Sequence, residues 1–384
     1  MDPPLQAGAS PTLGLYLHIP FCDGKCPYCD FYSMRADETI KDAYTNALCK
    51  AVEDWSCKER RTVDTVYFGG GTPTLLGTER LCRILEKICT CFSVIQNAEI
   101  TLEANPTASL QTNWAQLHKT GFNRLSMGLQ SAVDHELVLL GRRHTAGDAA
   151  RAVAQAQKAG FNRISLDLML AIPEQTLESI SRSVSFCTAL GVEHVSAYLL
   201  KIEPGTPFVA MASHLRLPDE ETQCEYYLHA CAQLEENGYR QYEISNFAKS
   251  GGESRHNLRY WKGQEYLGVG SSAHSFYNGL RFFYPRDLNS FLRGEGPVED
   301  GIGGDMEEFL MLRLRLSEGI SQSAWAERFG VGFSAGLEKK ARQLARCGLM
   351  EYSRERIRLT RRGFLVSNEI ICQLLLALED GAGE

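Results

Sequence analysis

The chain has 384 residues, 44% of them hydrophobic and 23% charged, which is typical of a folded globular protein with one to three domains. Its net charge of −7 argues against a general attraction to nucleic acid or to anionic lipid. No run of about 18 apolar residues occurs and no Lys or Arg precedes Lys25, so neither a membrane-spanning helix nor a targeting signal is predicted. We therefore expect a cytoplasmic protein with at most peripheral membrane contact.

The first half of the chain has an alternating pattern of strands and helices. Six short apolar runs of strand type are separated by helical segments, and they span 13–19, 63–68, 98–103, 122–129, 161–169 and 192–199. Asp37 is a candidate N-cap for the first helix, which has an apolar stripe from Ile40 to Trp55. This pattern predicts βαβ units and a parallel sheet, either as a partial barrel or as an open doubly wound sheet, with ligands at the strand carboxyl ends.

The second half of the chain has a different texture. An acidic helix is predicted over 219–237, followed by a Gly- and aromatic-rich stretch over 239–285 that we interpret as a hairpin-and-loop annex. From residue 305 the order is three helices, a β-ribbon over 349–359 and a final helix, which is winged-helix-like. We therefore predict a core domain at 1–240, an annex at 241–304 and a winged-helix-like domain at 305–384. The last domain is the most basic, but a packing module is favoured over DNA binding and no nucleic acid is expected.

The chain contains 13 cysteines, which in a reducing compartment are metal ligands or small buried residues rather than disulfide partners. Ten of them lie scattered in helical patterns and are assigned no chemistry: Cys49, Cys57, Cys82, Cys89, Cys91, Cys187, Cys224, Cys231, Cys347 and Cys372.

The other three, Cys22, Cys26 and Cys29, lie within eight residues directly after the first predicted strand. Three thiolates in one tight loop can hold three irons of a [4Fe-4S] cube and leave the fourth iron open. The alternative is a zinc knuckle, which requires a fourth Cys or His at close spacing, and the nearest candidate, His18, lies on the strand.

The CxxxCxxC loop, with Tyr28 before its last cysteine, resembles that of the radical S-adenosylmethionine (SAM) superfamily. The glycine-rich segment Tyr67–Pro73 supports this resemblance, because glycines after a strand let backbone amides approach a charged ligand. The resemblance implies a partial (β/α)6 TIM-type barrel, a [4Fe-4S] cluster held by the three cysteines, and SAM bound at the open iron. In that superfamily an electron from the cluster cleaves SAM to a 5′-deoxyadenosyl radical.

Nearly the whole chain resembles the branch of oxygen-independent coproporphyrinogen dehydrogenases and HemW-type haem chaperones. The matching segments are 18–22, 103–106, 126–131, 140–144, 167–169 and 242–247. By position, the resemblance implies a set of cofactor-contacting residues: Tyr16, Tyr28, Gly70, Gly71, Thr72, Glu103, Gln130, Arg142 and Asp167. The sequence departs from the family at Ala171, where the relatives usually have glycine.

Two features separate the dehydrogenases from the chaperones. The dehydrogenases carry a further cysteine two residues after the third, and here that position is Phe31. The segment 256–261 instead matches the HNxxYW motif associated with haem in the chaperones, which implies His256 as an axial iron ligand. Tyr260 and Trp261 would then stack on the macrocycle, and Arg255 or Arg259 would meet its propionates. His274 is a weaker candidate, and we expect a structural role for it.

The resemblance therefore implies a haem chaperone that binds haem, a [4Fe-4S] cluster and SAM. Its expected partners are apo-haem client proteins, such as respiratory cytochromes, and an electron donor such as a flavodoxin or ferredoxin. The alternative is oxidative decarboxylation of coproporphyrinogen III propionates in porphyrin biosynthesis, and whether the protein is an enzyme stays open.

Overall fold

The computed structural model describes residues 12–211 and 214–379. The six predicted strands form one parallel sheet in which each strand lies beside the next one along the chain. Their bounds are β1 Thr12–Ile19, β2 Thr62–Gly70, β3 Val94–Ala104, β4 Arg124–Gln130, β5 Arg163–Leu170 and β6 His194–Leu199. Because all six run the same way, their carboxyl ends meet at one edge of the sheet.

Helices follow each strand of this sheet. They are α1 Glu38–Ser56, α2 Thr78–Cys91, α3 Pro106–Ser109, α4 Trp114–Thr120, α5 Asp134–Leu139, α6 Ala146–Lys158, α7 Leu177–Ala189, α8 Pro207–Met211 and α9 Glu220–Glu236, with a 3-10 turn at Pro73–Leu76. The predicted cap of α1 is present, since the Asp37 side chain accepts a hydrogen bond from the backbone N–H of Ile40 at 2.8 Å. Tyr44, Leu48 and Val52 form the buried stripe of this helix.

The stretch predicted as an annex extends the same sheet. Its elements are β7 Arg240–Gln241, β8 Asn246–Ala248, α10 Arg255–Trp261, β9 Tyr266–Val269, β10 His274–Tyr277, β11 Leu280–Phe283, α11 Leu288–Leu292 and β12 Val298–Ile302. The sheet order is β12-β11-β10-β9-β1-β2-β3-β4-β5-β6-β8-β7, so later strands cover both edges of the six-stranded core. The barrel is therefore partial, and the sheet crosses the domain boundary predicted at residue 240. The hairpin expected in this stretch is β10–β11, and the pairing of β9 with β1 and of β8 with β6 makes the stretch continuous with the sheet of the core.

Helix α10, which the sequence did not predict, closes the amino-terminal end of the barrel. The backbone N–H of His256 donates to the buried carboxylate of Glu99, on β3, at 3.0 Å. The Arg259 guanidinium donates to the backbone carbonyl of Thr12, the first residue of β1, and pairs with Asp64 near the start of β2. We call α10 the plug, and it lies at the end of the barrel opposite to the cysteine loop.

The carboxyl-terminal region has the predicted winged-helix-like order with one added short strand, β13 (Ile320–Ser321), and one added short helix, α15 (Arg361–Leu365). Its elements are α12 Met306–Arg313, β13 Ile320–Ser321, α13 Gln322–Phe329, α14 Ala335–Arg346, β14 Met350–Tyr352, β15 Arg356–Leu359, α15 Arg361–Leu365 and α16 Ser367–Glu379. The three strands form a separate small sheet in the order β13-β15-β14. Among the described residues, no helix combines the length and the apolar character needed to cross a bilayer.

Candidate functional site

The three-cysteine loop lies at the carboxyl end of β1, where it is fastened by backbone contacts. The Cys22 N–H donates to the carbonyl of Met34 at 2.9 Å, and the Cys29 N–H donates to that of Cys26 at 3.0 Å. All three thiols are free and partly exposed. Burial raises the pKa of the Cys29 thiol, and the neighbouring Cys26 and Cys22 raise it further. Three such thiols on one loop favour a cationic ligand, since a bound metal deprotonates a thiol outright.

Three thiolates on one loop have the ligand chemistry of an iron–sulfur cluster. Within residues 12–211 and 214–379, no three His, Cys, Asp or Glu side chains converge as the ligands of one metal ion do. A cubane takes one thiolate on each of three irons, so its protein ligands surround a larger object and stand further apart.

The glycine-rich turn after β2 packs directly against this loop. Gly70 has a φ of +116°, and a Cβ there would lie 2.7 Å from the His18 ring. A Cβ on Gly71 would lie 2.7 Å from the carbonyl oxygen of Phe21. The next residue, Thr72, has its hydroxyl 3.4 Å from the Cys22 sulfur. Any larger residue at either glycine would therefore push the turn away from the cysteines.

Glu103, at the end of β3, is held beside this turn. Its carboxylate accepts a 2.7 Å hydrogen bond from the Tyr67 hydroxyl and a 3.1 Å bond from the Gly70 N–H. Burial raises the pKa of Glu103 to about 7, and the nearby Asp167 adds to this effect. A carboxylate with these neighbours gains from a bound cation such as the ammonium group of an amino acid.

Two further predicted residues, Asp167 and Gln130, lie on the same side of the sheet. Burial raises the pKa of Asp167 to about 6, while the Ser196 and Ser126 hydroxyls partly oppose the shift. Gln130 ends β4 in the left-handed region, with a φ of +70°, and its side chain accepts a 3.0 Å hydrogen bond from the Tyr198 hydroxyl. A non-glycine residue in this conformation is held there by its surroundings, as often occurs at ligand sites.

Arg142 lies between the cysteine loop and the strand ends. Its guanidinium donates to the Gly128 carbonyl at 2.7 Å and lies 3.7 Å from the Cys26 sulfur and 3.4 Å from the Tyr28 hydroxyl. Its Nε is buried and has no hydrogen-bond partner among the described residues. A buried guanidinium with an unused N–H is a fitting partner for a carboxylate ligand.

The predicted SAM residues thus lie in the carboxyl-terminal halves of β1 to β5 and in the loops that follow these strands, on the face of the sheet that we call the inner face. Tyr16 belongs to the same group, because its ring stacks on Tyr67 with centroids 6.0 Å apart and its hydroxyl lies 3.1 Å from His18 Nδ1. Tyr67, Tyr198 and His18 also contact this group, although no contact was predicted for them from the sequence. Alternation along the strands was the available signal, since residues two apart on a strand share a face.

His256 lies elsewhere, inside the plug. Its side chain is completely buried, with Nδ1 2.9 Å from the Thr65 hydroxyl and Nε2 2.8 Å from the Tyr260 hydroxyl. Arg259 is 2% exposed and is bound to Asp64 and Thr12, so the suggestion that it meets a propionate is wrong for this conformation. The HNxxYW segment and the cysteine loop therefore lie at opposite ends of the barrel.

A model of the radical SAM superfamily matches residues 16–187, and one of the HemN C-terminal domain matches residues 305–366. The protein named heme chaperone HemW in Mycobacterium tuberculosis H37Rv is 34% identical over 376 residues, which cover 94% of each chain. The chain belongs to the HemW family of radical SAM proteins. The HemW of Bacillus subtilis is also 34% identical, with 92% of this chain and 97% of its own covered. A Bos taurus protein named radical S-adenosyl methionine domain-containing protein 1, mitochondrial, is 33% identical, with 98% and 90% covered.

The solved structure of Escherichia coli coproporphyrinogen III oxidase (HemN) superposes with a TM-score of 0.81 at 22% identity, covering 96% of this chain and 92% of its own. This likeness confirms the predicted fold. Membership in the radical SAM superfamily makes a [4Fe-4S] cluster and SAM the cofactors of this HemW-family chain, and haem is the ligand named for its relatives.

Ala171, the position at which the family resemblance implies a glycine, has a φ of +61°. This left-handed conformation favours glycine, since an alanine Cβ adds a steric cost of about 1 kcal/mol.

Proposed function

We propose that this protein is a haem chaperone that binds haem and passes it to apo-haem proteins such as respiratory cytochromes. The observation that carries the proposal is similarity over 94% of the chain to proteins named heme chaperones. Phe31, in place of a further cysteine, is consistent with it. All thirteen thiols are free, which suits the reducing environment of the cytoplasm.

We assign the cluster to Cys22, Cys26 and Cys29. When bound, the cluster supplies one electron for the reductive cleavage of SAM. With SAM bound, Glu103 would hold its ammonium group, Arg142 its carboxylate, and Gln130 and Asp167 its hydroxyl groups. The backbone of Gly70, Gly71 and Thr72, with Tyr16 and Tyr28, shapes the walls of the site. In these assignments Glu103 and Arg142 each gain a counter-charge from the ligand, and Gln130 and Asp167 gain hydrogen-bond partners.

The electron donor is proposed to dock on the outer side of the cysteine loop. Lys25, Arg35 and Arg143 line a cavity of about 400 Å³ together with Cys22. A Cβ on Gly24 would lie 2.6 Å from the Arg143 guanidinium and 3.6 Å from that of Arg35, so the two cations converge over it. Asp23 is the one carboxylate paired with them within the described residues. A cationic patch on an acidic chain favours an acidic partner such as a flavodoxin.

The sequence-based prediction places the haem iron on His256. In this structure both of its ring nitrogens are occupied, so ligation requires that Tyr260 leave Nε2 and that the plug open. Ligation of the haem iron by His256 stays a prediction that requires both of these movements.

The test is an anaerobic haem titration of reconstituted protein, followed by product analysis with SAM, dithionite and coproporphyrinogen III. We expect stoichiometric haem binding, haem transfer to an apo-haem acceptor and no vinyl porphyrin. Vinyl products would establish the decarboxylase alternative, which the likeness to HemN favours. Cys26→Ala should abolish the visible iron–sulfur absorption, whereas Cys89→Ala, an exposed thiol on α2, should retain it.

A further inference from the structure

We propose that His274, on the inner face of the sheet beside the cysteine loop, is the residue that binds the haem iron. The inference rests on the proposed function, because it takes haem as the cargo, and it names the site where that cargo is held.

The position of His274 follows from strand register. His274 is the first residue of β10, which runs antiparallel to β9, so it lies at the edge where the parallel strands end. The segment before it crosses the end of β1, and a Cβ on Gly270 would lie 2.7 Å from the His18 carbonyl oxygen. His274 and Arg286 are both close enough to His18 to lower the pKa of that imidazole, which burial holds at about 4. His274 therefore adjoins the SAM side of the barrel.

The face of the sheet is fixed by pairing with α1. Phe282 stacks on Trp55 of α1 with centroids 5.5 Å apart, so Phe282 faces the outer helices. Phe283 is the next residue and pairs with His274, so both point to the opposite side. Tyr266, which pairs with Phe276 on β10, contacts the plug residue Tyr260 on this side. His274 thus shares the inner face with the predicted SAM residues.

The His274 ring has the properties of an available ligand. Its side chain is exposed, and neither ring nitrogen has a hydrogen-bond partner in the part of the chain that the structure describes. The ring stacks on Phe283 with centroids 5.3 Å apart, which fixes its orientation. Partial burial lowers the pKa of His274, with Asp300 opposing this effect and Arg281 and Arg286 adding to it, which favours the neutral ring. A neutral imidazole with a free nitrogen is the form that binds iron.

The surface around His274 suits a flat apolar molecule with carboxylates. His274, Phe283 and Val298 pair across three adjacent strands, which makes a row about 10 Å wide. Val298 is 48% exposed and Phe31 is 68% exposed. Phe31 belongs to the loop of Asp30, whose backbone carbonyl accepts a hydrogen bond from Arg286. The exposed Arg286 guanidinium can pair with a haem propionate while it keeps its contact with Asp30. These exposed apolar side chains beside a cation match the apolar face and the carboxylates of haem.

The contrast with His256 supports the choice. A chaperone must release its cargo, so the iron ligand has to be reachable without unfolding the barrel. His256 is completely buried and both its nitrogens are bonded, whereas His274 is exposed and open on the inner face.

The test is an anaerobic titration with ferric and ferrous haem, followed by absorption and electron paramagnetic resonance spectra, on four reconstituted proteins. These are the wild type, His274→Ala, His256→Gln and, as a matched control, His135→Ala, which removes an exposed imidazole on α5. We expect His274→Ala to lose the spectrum of axial histidine ligation and to weaken haem binding by about tenfold or more. His256→Gln and His135→Ala should keep the wild-type spectrum.

Wild-type spectrum and affinity in His274→Ala would overturn the inference while leaving the haem chaperone proposal intact. Loss of axial ligation in His256→Gln, with its cluster absorption retained and His274→Ala unaffected, would assign the ligand to the plug instead. A wild type that binds no haem would overturn the proposed function itself, and the inference with it.

Discussion

The Tyr67 hydroxyl donates a 2.7 Å hydrogen bond to Glu103, and the ring of the same tyrosine stacks on His256 with centroids 5.2 Å apart. Tyr67 therefore joins the plug at one end of the barrel to the proposed SAM site at the other. Through Tyr67, the HNxxYW segment helps to hold Glu103 in position. This role does not depend on whether haem binds to the segment.

This contact predicts the pH dependence of SAM binding. Glu103 carries its charge above a pKa of about 7, so SAM affinity should fall as pH drops through 7 to 6. Tyr67→Phe removes a donor that lowers this pKa, so the midpoint should move to higher pH and the affinity at pH 7 should fall by about threefold to tenfold. Calorimetric titration of cluster-loaded protein with SAM between pH 6 and 8 measures the SAM affinity and its pH midpoint. Glu103→Gln is the control, in which this component of the pH dependence disappears. An unchanged midpoint in Tyr67→Phe would contradict the assignment.

A second prediction concerns Tyr260, whose hydroxyl is hydrogen-bonded to His256 Nε2 at 2.8 Å. Tyr260→Phe leaves a buried ring nitrogen without a partner, so the free energy of unfolding should fall by about 1–3 kcal/mol. Chemical denaturation of the cluster-free protein gives the value. Haem affinity should stay unchanged, because His274 is the proposed ligand. A rise in affinity would show that freeing Nε2 creates an iron ligand in the plug.

The backbone conformation of Ala171 predicts that a glycine substitution there changes the free energy of unfolding in the opposite direction to a glycine substitution in a helix. Ala171→Gly should raise the free energy of unfolding by up to about 1 kcal/mol, because a Cβ is unfavourable at a φ of +61°. Ala154→Gly, on the exposed face of α6, should lower it by about 0.5–1 kcal/mol, because glycine is entropically costly in a helix. Denaturant titrations of both variants test the pair. Destabilisation by both would contradict the expected gain from relieving the positive φ at Ala171.

The cationic patch outside the cysteine loop predicts salt-sensitive docking. The double variant Arg35→Glu and Arg143→Glu should weaken binding of an acidic flavodoxin by about tenfold at low ionic strength, and the difference should vanish at about 1 M salt. Lys158→Glu is the matched control, since it reverses an exposed charge at the end of α6, away from the loop. Biolayer interferometry measures the affinities, and cluster absorption confirms that each variant is loaded. Equal weakening by Lys158→Glu would indicate a general charge effect.

Local signals explain what the sequence could predict. Six apolar runs matched β1 to β6, and Asp37 caps α1 as expected, because strand periodicity and helix capping depend on a few adjacent residues. The cysteine loop followed from spacing alone. The family resemblance then supplied the strand-end residues, which a parallel sheet necessarily brings to one edge.

The tertiary structure alone decided where the two candidate haem ligands lie. The plug forms because Arg259 reaches Asp64 and Thr12, more than 190 residues away, and β9 joins β1 across a similar separation. Such pairings have no signature in a local pattern, since their free energy comes from groups that meet only after folding. The sequence by itself determined a six-stranded parallel core with a three-cysteine loop. Long-range packing determined that His256 is enclosed and His274 is open.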